Sequence, residues 1–168
     1  MRYAPAALAL SLLVAVTAST GSAEQRNVDP RSAALVAQGK GQLAAGQVQD
    51  AIDTFEAALV LDPGHTAVYV ELAEAARVQG LQGKAIHYYR EALEREPNNF
   101  AALSGEGEAL LEKGAVEKAR RKLAELKSLC GEQCSESRQL AAAISAGPQT
   151  ATLTAEAVMP EAQVTQAN

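Results

Sequence analysis

Residues 51–63, AIDTFEAALVLDP, return 34 positions later as residues 85–97, AIHYYREALEREP. The Ala-Ile opening, the aromatic four residues after the first Ala (Phe55, Tyr89), the later Ala-Leu pair and the closing Pro keep their places, while nearly every polar residue between them changes. The same step taken across the chain aligns Gly46, Gly80 and Gly114; Ala51, Ala85 and Ala119; Phe55, Tyr89 and Leu123; Ala58, Ala92 and Leu126; and Pro63, Pro97 and Gly131. Upstream it aligns Leu35, Tyr69 and Leu103, then Gly39, Ala73 and Gly107. A period of this length marks one supersecondary unit that buries its apolar face against copies of itself.

Each unit divides at its own glycine. Before Gly80, HTAVYVELAEAARVQ carries apolar residues at three-and-four spacing; LQGKAIHYYREALERE does so again after it, and Pro97 stops the run. The spacing predicts first helices over 32–44, 66–78 and 100–112, and second helices over 48–61, 82–95 and 116–129. Each pair is antiparallel and each helix is about 20 Å long. The small residues have a geometric reading: Gly39, Ala73 and Gly107 sit where the two helices of a unit approach closest, facing Ala51, Ala85 and Ala119. Phe55, Tyr89 and Leu123 fill the wider gap toward the next unit. A larger side chain in the small columns would force the pair apart.

This pattern resembles the tetratricopeptide repeat over about residues 32–131. The resemblance rests on the glycine, the Ala with an aromatic four residues later, and the closing Pro. The expected fold class is all-α: an α-solenoid of three helix-turn-helix units with a C-terminal capping helix. Some positions depart from the family. Leu35, Tyr69 and Leu103 replace its Trp, Gln42, Ala76 and Leu110 replace its Tyr, and the third unit has Gly131 for Pro and KARRK in its second helix. Terminal units are often atypical because one face meets water. The units are 32–65, 66–99 and 100–133, and SESRQLAAAISAG supplies the capping helix over 134–146, with Leu140 and Ile144 on one face. Residues 24–31 are expected to be loose, and residues 147–168, rich in Thr and Gln with two prolines, to be disordered.

Residues 1–23, MRYAPAALALSLLVAVTASTGSA, have a basic start, a short apolar run and small residues at the end, the pattern of a cleaved secretory signal. An uncleaved segment would instead tether the protein to a membrane. The chain has 15 Lys plus Arg against 20 Asp plus Glu, which gives no basis for a nucleic-acid or anionic-membrane partner. Aromatics make up 4% and Trp is absent, which favours close-packed helices over a β-sandwich.

Each suspicious residue can be judged against its siblings. His87 aligns with Asp53 and Arg121, a column of unrelated polar residues on the outer helix, and His65 stands in the turn column beside Asn99 and Gln133. Neither reads as catalytic. The basic run Lys118, Arg120, Arg121, Lys122 sits on an outer helix beside Glu117 and Glu125 and reads as a solvated face. No phosphate-cradling loop, nucleophile elbow or acid/base pair is present. The expectation is a protein that is not an enzyme and has no catalytic residue, metal, cofactor or small-molecule substrate.

Cys130 and Cys134 are read as a structural disulfide between the third unit and the capping helix, since an exported chain meets an oxidising compartment. A redox-cycling pair is the alternative. CGEQC lacks the second cluster that a zinc site needs. Its place between a last repeat and a capping helix is similar to exported bacterial repeat proteins and implies the periplasm or secretion.

The family resemblance also implies a ligand-binding groove. Its lining columns fall on Ala33, Val36, Lys40 and Leu43; on Ala67, Val70, Glu74 and Arg77; and on Ala101, Ser104, Glu108 and Leu111. Glu74, Glu108 and nearby Glu112 make its C-terminal half acidic. A protein or peptide segment with apolar and basic residues would suit it. The Lys and Asn set with which some members hold a C-terminal carboxylate is missing. The expected role is a non-catalytic interaction module, adaptor or scaffold in the cell envelope.

Overall fold

The computed structural model describes residues 27–147. Seven helices follow one another: α1 (Pro30–Ala44), α2 (Val48–Leu61), α3 (Thr66–Val78), α4 (Gln82–Arg95), α5 (Phe100–Glu112), α6 (Val116–Cys130) and α7 (Ser135–Ala146). The described residues contain no strand. The secretory-signal reading of 1–23 and nearly all of the tail, 148–168, lie outside the described residues.

Gly46, Gly80 and Gly114 turn the chain within each pair, with φ of 77°, 73° and 82°. A Cβ at any of them would meet nothing within 4 Å. The requirement is therefore the left-handed backbone, which glycine adopts without strain. Gly46 N–H bonds to the Leu43 carbonyl at 3.0 Å and Gln47 N–H to the Gln42 carbonyl at 2.9 Å, and the pattern repeats at Gly80 and Gly114. These paired bonds form the Schellman motif, which satisfies carbonyls left open at a helix end.

The first helix starts earlier than the apolar spacing predicts. Asp29 accepts from the Arg31 N–H at 2.8 Å, and Pro30 occupies the first helical position. An N-cap acid followed by Pro is a strong start signal, so Pro30 and Arg31 are helical and not part of a loose segment. Asp29 N–H also reaches Asp62 Oδ2 at 3.2 Å, which ties the entry of α1 to the turn before α3. At the other end, α6 runs one residue past the expected 129, to Cys130.

The two helices of each unit pack together. The first helices also touch one another, α1 on α3 and α3 on α5, whereas α2, α4 and α6 make no such contacts with each other. The layer in mutual contact lies inside the curve, so α1, α3 and α5 form the concave side. Ala51, Ala85 and Ala119 are all fully buried, as are Phe55 and Tyr89. A Cβ on Gly39 would overlap the Phe55 ring within the same unit.

Gly107 behaves differently from the expectation. Its added Cβ would run into Leu140 of α7 and not into α6. The cause is the placement of α7, whose residues 135–146 lie one repeat step beyond 101–112 of α5 and occupy the site of a fourth first helix. Leu103, Leu126 and fully buried Leu140 form the cluster beneath it, with Leu123 half-buried at its edge. Burying leucines of this size stabilises the cap by roughly 2 kcal/mol each.

Candidate functional site

The first helices place the twelve groove positions on the concave side, but not in equal exposure. Ala33 and Lys40 of α1 and Ala67 of α3 are exposed, Leu43 and Val70 are half-buried, and Val36 is 9% exposed. Ala101 is also exposed. Ser104, Glu108 and Leu111 of α5 are buried. Helix α7 covers this last part: Ser104 Oγ donates to the Glu136 carbonyl at 3.3 Å, and Gln139 Nε2 donates to Glu108 Oε1 at 2.7 Å. Three of the four third-unit positions therefore belong to an interface within the chain, and the exposed positions are those of α1 and α3 together with Ala101.

The acidic end is not a free negative patch. Arg77 Nη2 lies 2.9 Å from Glu108 Oε2 and 2.5 Å from Glu112 Oε1, and Nη1 lies 3.2 Å from Glu74 Oε2. The Tyr89 hydroxyl donates to Glu74. Burial pushes the Arg77 guanidinium down, but the Glu112 hydrogen bond and the Glu74 charge overcome it and hold the group above the ordinary arginine value. Burial, then the Glu74 charge and hydrogen bond, push the Tyr89 phenol up. One cation therefore serves three carboxylates, and the residual negative charge is shared across α3 and α5. On the open side, Lys40 Nζ pairs with Glu71 Oε1 at 2.8 Å, bridging α1 and α3.

A second charged cluster escaped the repeat-based reading. Glu106 is 2% exposed and stands in the column that holds Leu72 and Leu140. Arg90 Nε of α4 reaches it at 2.8 Å and Lys122 Nζ of α6 at 3.0 Å. Lys122 is consequently not the solvated residue expected of the basic run: burial lowers its pKa, but the hydrogen bonds it donates to Glu106 and Glu125 outweigh this and hold it above the ordinary lysine value. Lys118, Arg120 and Arg121 are exposed, and Arg120 pairs with Glu117 at 2.7 Å. The column of Glu106 reads Gln38, Leu72, Glu106 and Leu140, so the signal in the sequence is a carboxylate between the leucines of its two neighbouring units.

His87 is exposed on α4. His65 is buried, and its Nδ1 meets Ser32 Oγ at 2.7 Å. Ser32 is fully buried, so this hydroxyl cannot meet a substrate. The pair braces α1 against the turn before α3. The sulfurs of Cys130 and Cys134 are 1.98 Å apart, with Cα atoms separated by 5.9 Å, within the range that a disulfide spans. They join the last residue of α6 to the residue before α7. Among the described residues, no helix is long and apolar enough to cross a membrane.

Comparison with known proteins agrees with this architecture. The tetratricopeptide repeat profile matches residues 36–86 and 83–130. The Sgt2 TPR domain from Aspergillus fumigatus superposes with a TM-score of 0.63 at 22% identity, covering 70% of this chain and 80% of that one. The TPR2B domain of yeast Sti1, solved as a complex with pHsp70, gives 0.64 at 17% identity, covering 70% and 95%. The Yersinia enterocolitica type III secretion chaperone SycD, solved with a peptide of the translocator YopD, gives 0.59 at 24% identity, covering 68% and 86%. No curated protein matches the sequence significantly. With two overlapping profile matches that together span residues 36–130 of the observed helix pairs, the chain belongs to the tetratricopeptide repeat family.

Proposed function

We propose that this protein is a non-catalytic adaptor of the cell envelope that holds a protein segment along the open concave stripe of α1 and α3. The observation that carries this reading is the contrast in exposure: Lys40 faces solvent and Leu43 and Val70 are half-buried, with exposed Ala33 and Ala67 beside them, whereas Ser104, Glu108 and Leu111, their counterparts in the third unit apart from exposed Ala101, are buried beside α7. Small side chains leave room for a backbone to approach, and Leu43 and Val70 offer apolar anchor points. Glu74, 41% exposed at its side chain, favours a basic residue in the bound segment. Solved neighbours of this fold are complexes with pHsp70 and with a peptide of YopD, which supports the class of ligand and not its identity.

Export rests on the leader-like residues 1–23 and on the adjoining cysteine sulfurs, a pairing that persists in oxidising compartments. The mature protein is expected to begin at Glu24 and to show no free thiol after purification from the periplasm. A retained leader would make the protein a membrane-tethered scaffold, and reversibly reduced thiols would favour the redox alternative.

The binding test is crosslinked capture from the native compartment with wild type, Val70→Asp, Glu74→Ala and, on the outer helix, Arg121→Glu. Val70→Asp is expected to lower capture about tenfold or more, equivalent to about 1.4 kcal/mol, with Arg121→Glu unchanged. Capture indifferent to both concave substitutions removes the groove from the function.

A further inference from the structure

A cleft of about 400 Å³ opens between α4 and the start of α6, on a different face from the concave stripe. Ile86 and Leu110, 7% and 4% exposed, line it together with Arg90, Lys113 and Lys118, and no carboxylate does. Glu106 engages Arg90 through Nε alone. Lys113 and Lys118 make no ion pair among the described residues. In a chain of net charge −5, three cations gathered around apolar side chains create a local field suited to a carboxylate-bearing segment.

We propose that the occupant is this chain's own C-terminal segment, residues 148–168, docked in the cleft through Glu156 or Glu161. That segment, PQTATLTAEAVMPEAQVTQAN, carries both glutamates and no Lys or Arg, with Leu153, Val158 and Met159 available to meet Ile86 and Leu110. It leaves the fold at Gly147, which shares a small cavity with Glu112, and the next residue along, Lys113, lines the basic cleft. At about 3.4 Å per extended residue, the stretch from Gly147 to Glu156 reaches roughly 30 Å, more than twice the diameter of a helix. The covalent tether sets an effective concentration on the order of millimolar, so a weak attraction suffices. The concave groove suits this segment poorly, because Glu74, Glu108 and Glu112 lie there and the segment brings no cation. A separate hollow on the other side of Arg90 is lined by Glu94 and Glu106 as well as Lys122, so the carboxylate-free cleft with Lys113 and Lys118 suits the glutamates better.

The test uses the full chain at low concentration with a zero-length carbodiimide crosslinker, followed by proteolysis and mass spectrometry. Links within one chain from Glu156 or Glu161 to Lys113 or Lys118 are expected, independent of protein concentration and weakened by about 0.5 M salt. In parallel, Glu156→Gln with Glu161→Gln is expected to shift the backbone amide signals of Gly114 and Ala115 but not that of Gly41. Links found only between chains would assign the segment to a second copy and overturn docking in cis. Links to Lys40, or neither links nor amide shifts, would overturn it as well. The crosslinking readout comes from the unmodified chain, so the result does not depend on a variant folding.

Discussion

Arg77 of α3 and Glu108 of α5 are joined at 2.9 Å across the boundary between the second and third units, although both stand at positions that line the groove in this family. Glu108 is in turn held by Gln139 of α7, so a line of polar contacts runs from Tyr89 through Glu74, Arg77 and Glu108 to the cap. Groove chemistry has here become part of the bracing between units.

Removing the shared cation should expose the cost of that arrangement. Arg77→Ala leaves Glu74, Glu108 and Glu112 close together without a counter-charge. Because Glu74 and Glu112 retain solvent access, the expected loss is about 2 kcal/mol, less than for a fully buried pair. Urea denaturation measures it, and an unchanged midpoint would show the network to be idle.

Two glycines on helices should respond in opposite directions to the same substitution. A Cβ on Gly105 would overlap the fully buried Tyr89 ring, whereas one on Gly41 of α1 meets nothing within 4 Å. Gly105→Ala is expected to destabilise by about 1–3 kcal/mol, and Gly41→Ala to stabilise by about 0.5–1 kcal/mol. Tyr89→Leu should recover part of the Gly105→Ala loss in a double-mutant cycle.

The buried acid at Glu106 lends itself to a comparison of broken and replaced charge. Glu106→Ala leaves Lys122 with Glu125 alone, at 3.1 Å, and is expected to cost about 1–2 kcal/mol, less than for an uncompensated buried charge. Glu106→Leu combined with Lys122→Met restores the apolar column of Leu72 and Leu140 and should lie within about 1 kcal/mol of wild type. Equal losses in the two variants would mean that volume, not charge, dominates this site.

Tyr89 sets an alkaline limit on stability. Its folded-state pKa is raised, so its contribution is complete below the unfolded tyrosine value of about 10 and declines as pH rises above it. Between pH 9 and 11, the denaturation midpoint of wild type should fall more steeply than that of Tyr89→Phe. Parallel curves would place the phenol in an ordinary environment.

The repeat was legible because it is written in residues whose reasons are local. A left-handed turn needs Gly46, Gly80 and Gly114, and close helix contact needs Ala51, Ala85 and Ala119. The start of α1 is equally local, in Asp29-Pro30, but it is written in a capping signal that apolar spacing does not contain. Other features depended on partners roughly 15 to 35 residues away in the chain. Nothing near Gly105 announces the Tyr89 ring, and the ion pairs of Arg77 depend on where long side chains settle once α3, α5 and α7 are in place. Repeat logic that stops at the third unit pairs Gly107 with α6, whereas the chain continues the repeat with α7. Glu106 stands between Leu72 and Leu140 in a column that begins with Gln38, so the mixed column hides the sign of a buried partner.

The most direct test of the binding face is site-specific photocrosslinking in the native compartment, with a benzophenone side chain placed in turn at Ala33, Ala67 and Ala57. The first two are exposed on α1 and α3, and the third is exposed on α2. Partner adducts are expected from Ala33 and Ala67 and not from Ala57. Adducts from Ala57 with none from Ala67 would put the partner on the outer layer and contradict the concave stripe as the binding site.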